Sequence, residues 1–412
     1  MNITERFLRY TAVSSASDEK SESTPSTQRQ WDMARLLEAE LRGLGLSDVR
    51  LDEKCCVTAF IPSNVGEDRP VLGFIAHMDV SSASPSENIA PRAVHYEGGD
   101  ILLNEQFNII MKESEYPLLA RYRGMDLVVT DGTTLLGADD KAGIAEIVTM
   151  AQTLLADDSI KHGKIVIAFT PDEEIGRGAD MLDVTALGAD FAYTVDGAEF
   201  GEISWENFNA SSVEVRFRGV SVHPGSAKGI MVNAQLVAME FFAALPTGER
   251  PELTDGREGF YMLDESSGSV ESAEQRYILR DHDAAKLAER EETIRRTAAA
   301  LNAKYGADTV SVEIKETYRN MGDVIARYPF LVEAAKMAVA QADGEPKVTP
   351  IRGGTDGAML SFRGLPTPNL GTGSHNHHGR MEFAVVQEME RTARELVILA
   401  GMFAESTSAQ KR

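Results

Sequence analysis

The stretch Lys164-Ile-Val-Ile-Ala-Phe-Thr-Pro-Asp-Glu-Glu174 joins an apolar run to a cluster of acidic side chains. The run is short and rich in β-branched and aromatic residues, which is typical of a buried strand. The stretch Val71-Leu-Gly-Phe-Ile-Ala-His-Met-Asp79 has the same form, because an apolar run again leads directly into polar side chains. Both stretches therefore predict strands that deliver candidate functional groups at their carboxyl ends.

Two further junctions place acids at the ends of apolar segments. Leu135–Gly143 predicts a turn that opens a helix and carries Asp139 and Asp140, and the predicted strand Phe191–Val195 leads into Asp196. Strands that alternate with helices indicate an α/β sheet covered on both faces. Ligands of such sheets bind beyond the carboxyl ends of the strands, so the acids and the histidine are predicted to share one site.

The segment before the first strand predicts a polar loop followed by a helix. Residues Ser14–Gln30 are rich in Ser, Thr, Asp, Glu and Lys and show no core-forming period. Near the end of this loop, Ser26 is expected to cap a helix over about Thr27–Arg42. Gly43 is expected to end that helix.

From about residue 207 the pattern predicts a separate small domain. Its elements follow the order βαββαβ, over Val213–Phe217, Val232–Leu245, Phe260–Leu263, Ala273–Asp281, Ala284–Tyr305 and Val310–Ile314. We expect residues 207–318 to form an inserted α+β domain. Residues 1–206 and 319–412 are then a discontinuous catalytic domain.

Composition narrows the class of protein. The 412 residues are 43% hydrophobic, enough for a large core, and 64 acidic against 41 basic residues give a net charge of −23. Such a charge repels nucleic-acid phosphates and anionic lipids, so neither is expected as a partner. The only cysteines, Cys55 and Cys56, are neighbours that fit a reduced compartment, and no signal peptide or membrane-spanning run is visible. A soluble cytoplasmic protein is expected.

Five side chains are candidate metal ligands: His77, Asp139, Glu174, Asp196 and His378. Imidazole and carboxylate donors without thiolate suit zinc, and less selectively cobalt or manganese. Two divalent cations against three carboxylates leave one positive charge, which a bridging hydroxide would cancel. One carboxylate shared by both metals would leave each with a histidine, an acid of its own and open positions for water and substrate.

Spacing suggests roles for two neighbouring acids. Adjacent side chains of an extended segment point to opposite sides, so Glu174 can bind metal while Glu173 faces the water nucleophile. In His77-Met-Asp79 the spacing of two puts Asp79 on the same side as His77, where it can fix the histidine tautomer. Both arrangements suit metal-assisted hydrolysis.

Each motif taken singly also has an ordinary structural interpretation. A lone His77 is more often a hydrogen-bonded core or surface histidine, and Asp139-Asp140 more often caps a helix. Glu173-Glu174 resembles a solvated turn, and Asp196-Gly197 a β-turn. The joint placement of these motifs at strand ends favours a functional site.

The motifs together resemble the peptidase T family of dizinc exopeptidases, in order and at matching spacing. They are His77-Met-Asp79, Gly137-Ala-Asp-Asp-Lys-Ala-Gly143, Thr170-Pro-Asp-Glu-Glu174, Thr194-Val-Asp-Gly197, Val222-His-Pro-Gly225, Ile351-Arg-Gly-Gly-Thr-Asp-Gly357 and Asn376-His-His-Gly379. The likeness covers nearly the whole chain. It implies an α/β, zinc-exopeptidase-like catalytic domain with helices on both faces of a mixed sheet, plus an inserted ferredoxin-like lid domain.

The resemblance also implies a metal centre with two Zn²⁺ ions per chain. His77 and Asp196 would bind one ion, and Glu174 and His378 the other. Asp139 would bridge both ions and be followed by a cis peptide. One departure is visible in Gly373-Ser-His-Asn-His-His-Gly379, where His375 and His377 replace aromatic residues of the family and could compete for metal.

The remaining implied roles concern catalysis and substrate. Glu173 would be the general base and Asp79 would orient the neighbouring histidine. His223, on the small domain, would stabilise the oxyanion when the domains close. Arg280 and Arg352 are candidates to bind the carboxylate of the peptide, because their fork of donors matches that group.

Three functions stay open on the sequence. The first is an aminopeptidase that cuts short peptides, chiefly tripeptides. A homodimer of this chain is one assembly that the sequence leaves open. The second is a dipeptidase, carboxypeptidase or N-acyl amino acid hydrolase of the same group, and the third is a non-catalytic metal-binding scaffold. Retention of Glu173 beside a full ligand set argues against the scaffold, which has no use for a base.

Overall fold

The computed structural model describes residues 1–405. Its helices are α1 Ile3–Thr11, α2 Gln30–Leu44, α3 Ala138–Ala156, α4 Gly178–Met181, α5 Val184–Leu187, α6 Ala234–Ala244, α7 Ala284–Tyr305, α8 Gly322–Ile325, α9 Pro329–Gln341, α10 Asp356–Phe362 and α11 Val386–Glu405. The end of the predicted catalytic domain, 406–412, lies outside the described residues. None of the helices within the described range has the length and apolar character to cross a membrane.

The strands alternate with these helices over much of the chain. They are β1 Ser47–Leu51, β2 Val57–Ile61, β3 Leu72–His77, β4 Arg92–Tyr96, β5 Ile101–Asn104, β6 Ile109–Met111, β7 Met125–Val129, β8 Ile165–Thr170, β9 Phe191–Gly197, β10 Glu202–Ser204, β11 Asn209–Arg218, β12 Phe260–Gly268, β13 Ser272–Asp281, β14 Val310–Tyr318, β15 Lys347–Val348, β16 Asn369–Gly371, β17 Ser374–His375 and β18 Phe383–Val385.

The chain divides into two compact units. Unit 1 comprises 1–205, 323–349 and the described residues from 355 onward, and unit 2 comprises 206–322 and 350–354. The segment 350–354 thus belongs to unit 2, whereas the sequence pattern placed it in the catalytic domain. The reason is local pairing, since Ile351 N donates to Glu206 O and Phe208 N donates to Ile351 O.

Unit 1 is built on an eight-stranded mixed sheet in the order β1-β2-β8-β3-β9-β16-β10-β15. Strand β3 lies in the centre and pairs in parallel with β8 and with β9, and β2 is antiparallel to β8. In this register His77 lies opposite Thr170. The carboxyl ends of β3, β8 and β9 therefore meet at one edge, which is where the predicted functional residues follow.

Helices cover both faces of this sheet. On one face the rings of Phe74 and Tyr193 stack 6.3 Å apart, and Tyr193 packs edge-on against Phe403 of α11. On the other face Ile75 and Leu360 share an apolar cluster to which α4, α5 and α10 contribute. The alternation along β3 sends successive side chains to opposite layers. Both layers bury the sheet, which fits its near-continuous apolar strands.

Unit 2 has an antiparallel sheet in the order β12-β13-β11-β14, and its elements follow the order βαββαβ. Helices α6 and α7 pack on one face of the sheet. Their shared core includes Val213, Val215, Phe217, Phe241, Tyr277, Leu279 and Ile294. The alternation Val213, Val215, Phe217 explains why one sheet face is apolar.

The start and the end of α2 differ from the sequence-based expectation. Ser26 does not cap the helix, because its hydroxyl donates to Asp172 Oδ1 at 2.5 Å and the helix begins at Gln30. Gly43 lies inside the helix. Gly45 ends it with φ of 88°, the left-handed conformation that glycine adopts without a steric cost.

Candidate metal centre

The five predicted ligands come together in unit 1. His77 is the last residue of β3, Asp196 lies near the end of β9, and Asp139 lies at the start of α3. Glu174 follows β8 in a single 3-10 turn, and His378 lies in the loop between β17 and β18. Four of the five residues therefore lie at or directly beyond the end of a regular element, and His378 is supplied by a loop.

The ligands form two adjoining groups that share one aspartate. In the first group, His77 Nε2 lies 2.9 Å from Asp139 Oδ1 and 3.3 Å from Asp196 Oδ1. In the second group, His378 Nε2 lies 3.2 Å from Asp139 Oδ2 and 2.9 Å from Glu174 Oε2. The ligand atoms of each group lie within 4.8 Å of one another. Asp139 thus turns one oxygen towards each group.

The charges of the groups perturb one another strongly. Burial pushes the pKa of Asp139 up, but hydrogen bonds from His378 and His77 outweigh it and hold this pKa well below the ordinary value. Burial raises the pKa of Glu174 to about 7. Hydrogen bonds to Asp139 and Glu174 raise the pKa of His378 to about 10. The carboxylates therefore stabilise positive charge at this place.

The donor set fits two divalent cations. Each group offers one imidazole nitrogen and carboxylate oxygens without thiolate, a set that suits zinc and also cobalt or manganese. Glu174 Oε1 is buried and has no hydrogen-bond partner among the described residues, so one ligand atom is left unsatisfied by the protein. A buried carboxylate oxygen without a partner is costly unless a cation binds it.

Asp79 links the first histidine to the acidic pair. Its carboxylate accepts hydrogen bonds from Glu173 N at 3.0 Å and from Glu174 N at 3.2 Å. His77 Nδ1 lies 3.1 Å from the backbone oxygen of Asp79 and 3.4 Å from Asp79 Oδ1. Either contact orients the ring so that Nε2 faces the other ligands. Asp79 also holds the turn that carries Glu173, which spacing alone did not predict.

Glu173 belongs to neither ligand group. Its side chain is partly buried, and burial raises the pKa of its carboxyl well above the ordinary value. The charge of His77 acts in the opposite direction and is weaker than the effect of burial. A carboxyl with a raised pKa beside a candidate metal centre is a candidate for proton transfer.

Asp172 connects the acidic turn to the start of α2 through hydrogen bonds, and the sequence did not single it out. It has φ of 61°, and its carboxylate accepts from Ser26 N at 2.7 Å and from Gln30 Nε2 at 2.6 Å. Its own N–H donates to Gln30 Oε1 at 3.1 Å. No local sequence signal marks this clamp, because its partners lie more than a hundred residues away.

Asp140 follows Asp139 in the chain, and the sequence pattern predicts no role for it in the site. The peptide between Asp139 and Asp140 is cis, as the resemblance implied. Asp140 Oδ2 accepts from His77 N at 3.2 Å, and Oδ1 accepts from Gly143 N at 3.2 Å. The side chain therefore ties the start of α3 to the end of β3.

The extra histidines of the last motif have protein partners. His375 is buried, and its Nε2 lies 2.7 Å from the Tyr122 hydroxyl. His377 Nε2 lies 2.7 Å from Ser374 Oγ, and its Nδ1 lies 3.6 Å from Asp139 Oδ2. His375 is thus a core histidine, whereas His377 lies at the rim of the second group.

Three predicted substrate residues belong to unit 2. His223 is exposed, and its Nδ1 accepts from Gly225 N at 3.2 Å. Arg280 Nη1 donates to Arg352 O at 2.8 Å, and its buried Nε has no hydrogen-bond partner within the described range. Arg352 uses Nη1 and Nη2 on the backbone oxygens of Thr254, Gly256 and Glu258. The Arg352 fork therefore holds a loop of its own unit.

An α/β sheet that presents two adjoining histidine and carboxylate groups, joined by one aspartate, defines a two-metal hydrolase. The model of peptidase family M20/M25/M40 matches residues 129–400. The chain is 48% identical over 405 residues to peptidase T of Geobacillus thermodenitrificans, with 98% of each chain covered. The chain belongs to peptidase family M20/M25/M40, and within that family it groups with the peptidase T proteins.

Two solved structures share the fold. A tripeptidase of Staphylococcus aureus matches with a TM-score of 0.79 at 20% identity, and an aminopeptidase of Bacillus cereus matches with a TM-score of 0.74 at 23% identity. Each match covers 98% of both chains. The family resemblance, the fold class and the identification as a metallopeptidase are thereby confirmed, and the centre is a two-metal site.

Proposed function

We propose that the chain is a cytoplasmic zinc aminopeptidase that removes the N-terminal residue from short peptides, chiefly tripeptides. The observation that carries the proposal is the position of Asp139, whose two oxygens face two separate groups of ligands. One zinc ion would be held by His77 and Asp196 and the other by Glu174 and His378. Asp139 would bridge both ions.

The protein's own groups perform the proton transfers. When bound, two zinc ions supply Lewis acidity and lower the pKa of the attacking water. Glu173 takes a proton from this water and returns it to the amine that leaves. The raised pKa of Glu173, caused first by burial, suits a base that must also release its proton. Asp79 fixes the backbone of Glu173 for this task.

The substrate class rests on the relatives and on charge. The similar structures are described as a tripeptidase and an aminopeptidase. The net charge of −23 favours a ligand with a free ammonium group over a purely anionic one, and it disfavours nucleic acid and anionic membranes. His223 is exposed and its Nδ1 accepts from Gly225 N, which leaves Nε2 to donate to substrate and supports the role assigned to it. Arg280 donates through Nη1 to Arg352 O and its Nε is buried, so its contacts do not add support for a substrate role. For Arg352 the bonds to its own loop favour a structural role.

The alternative is an acyl hydrolase, carboxypeptidase or dipeptidase of the same family. Hydrolysis of an unblocked tripeptide, its N-acetylated form and a dipeptide by zinc-loaded protein distinguishes these activities. Cleavage of the free tripeptide alone, with release of its first residue, supports the proposal. Cleavage of the acetylated peptide would replace it with the acyl-hydrolase or carboxypeptidase activity, and cleavage of the dipeptide alone with a dipeptidase.

The general base is tested in the same assay with Glu173→Gln. The amide cannot accept the proton, so kcat should fall about 10²- to 10⁴-fold. Zinc content should stay at the wild-type level, because Glu173 lies outside both ligand groups. Unchanged kcat in this variant would remove Glu173 from the mechanism, and lost zinc would make it a ligand.

A further inference from the structure

Glu382 is a buried acid that the proposed mechanism does not use. It lies directly before β18, and it is 1% exposed. Its Oε2 accepts hydrogen bonds from Leu136 N and from Gly137 N, each at 2.7 Å, and its Oε1 accepts from Asp139 N at 3.1 Å. A single carboxylate thus takes three backbone donors of the loop that carries the shared aspartate.

These three donors lie where a helix begins. The first N–H groups of a helix lack intrahelical acceptors, and the start of α3 is irregular. Gly137 has φ of 75°, and Asp139 has φ of −81° and ψ of 104°, outside the helical region. A buried carboxylate at this place satisfies several donors at once, and charged acceptors form the stronger hydrogen bonds. Glu382 therefore fixes the course of the backbone at Asp139.

Glu382 itself belongs to the loop that carries His378, between β17 and β18. In this loop Gly379 N donates to Asn376 O, and Glu382 N donates to Gly379 O, both at 3.3 Å. Asn376 Nδ2 donates to Met381 O at 2.9 Å. The segment from Asn376 to Glu382 is thus closed by its own hydrogen bonds. A shift of Glu382 would be passed on to His378.

We propose that Glu382 is a positioning residue that sets Asp139 and His378 at the separation which the second metal requires. The inference rests on the proposed two-metal function. The second group, Asp139, Glu174 and His378, depends on Glu382 through two of its three ligands. The first group depends on it only through Asp139, because His77 and Asp196 are held by β3 and β9.

The substitution Glu382→Gln should therefore weaken one metal site more than the other. The side-chain amide removes the charge and turns an NH₂ group towards backbone donors. Partners that orient a ligand typically contribute about 10- to 100-fold in metal affinity. We expect an affinity loss of that size at the second site and a smaller loss at the first. The kcat for a tripeptide should fall with zinc occupancy, and KM should change little.

The experiment is a calorimetric titration of metal-free protein with Zn²⁺, followed by the absorption spectrum of the Co²⁺-loaded form. Glu395→Gln is the matched control, since Glu395 is also 1% exposed and its carboxylate has no hydrogen-bond partner in the described part of the chain. The control should bind two ions as the wild type does. Glu382→Gln should show one tight and one weakened ion, with a changed Co²⁺ spectrum.

The outcomes separate this inference from the function on which it rests. Two ions bound by Glu382→Gln with wild-type affinity would overturn the positioning role. Equal weakening of both sites, or the same loss in Glu395→Gln, would overturn it too, because general destabilisation would then explain the result. If Glu382→Gln does not fold, Glu382→Asp takes its place, since the shorter acid keeps the charge but cannot reach all three donors. A wild-type protein that binds fewer than two ions would instead contradict the proposed function.

Discussion

Gly143 lies in the first turns of α3, where the helix passes the strand that carries Asp196. A methyl group built on Gly143 would overlap the backbone oxygen of Val195 and would lie 2.5 Å from Asp140 Oδ1. Nonbonded contacts to carbon are normally about 3.5 Å, so relief of the overlap with Val195 O requires a displacement of more than about 1 Å. The displacement separates the start of α3 from the end of β9. These are the elements that carry Asp139 and Asp196.

The expected cost appears in both activity and stability. Overpacking of a buried contact typically costs about 1–3 kcal/mol. A misplacement of about 1 Å in a catalytic site can lower activity by about 10²-fold. We therefore expect Gly143→Ala to lose about 10²-fold in kcat on a tripeptide, together with weaker zinc binding. Steady-state kinetics, zinc titration and urea unfolding measure the three effects.

Gly43→Ala is the matched control, because Gly43 also lies inside a helix, but a methyl group added there would meet none of the described residues within 4 Å. This variant should keep wild-type kinetics, and its free energy of unfolding should rise by about 0.5–1 kcal/mol, since glycine is unfavourable in a helix interior. Wild-type activity and zinc affinity in Gly143→Ala would refute the reasoning. It would show that the close contact between α3 and β9 does not set the ligand geometry.

Three other substitutions test separate parts of the account. Asp172→Ala removes the acceptor of Ser26 and Gln30, and at about 1.5–3 kcal/mol for each hydrogen bond to a charged group, we expect a loss of several kcal/mol in urea unfolding; a loss under about 1 kcal/mol would contradict it. Burial holds the pKa of Glu395 well above its ordinary value, so this group's contribution to stability falls as pH rises above about 4.3, by up to about 1.4 kcal/mol per pH unit. Glu395→Gln removes that loss, so its Tm relative to wild type should increase from pH 5 to pH 8, and a constant difference would disprove the assignment. His375→Phe should leave the zinc stoichiometry at two ions per chain, because the His375 ring is hydrogen-bonded to the Tyr122 hydroxyl. Loss of one ion in this variant would instead identify His375 as a ligand.

Much of the fold follows from local patterns in the sequence. The run Lys164–Thr170 predicted a strand, and the structure has one over Ile165–Thr170; the helix Ala284–Tyr305 agrees at both ends. These elements have a strong apolar period or a clear terminal signal, which depends on neighbouring residues alone. The junctions between strands and acids predicted that His77, Glu174 and Asp196 lie together, and the structure brings them to one edge because the parallel strands β3, β8 and β9 end there.

The contacts between distant segments could not be predicted in the same way. Ser26 is a good capping residue by type, but its bond to Asp172 decides its position and depends on a partner far along the chain. Glu382 has no motif of its own, although it holds the loop of Asp139. The residues 350–354 resemble a glycine-rich loop of the large domain, yet their pairing with Glu206 and Phe208 places them in unit 2. These positions are set by contacts between residues that are distant in the sequence, and such contacts produce no pattern in the neighbouring residues.

Whether Asp139 lies between two metal ions can be seen in an anomalous-difference map from crystals of the zinc-loaded protein. We expect two peaks on either side of the Asp139 carboxylate, one beside His77 and Asp196 and the other beside Glu174 and His378. A single peak, or two peaks that do not share Asp139, would contradict the bridged two-metal centre.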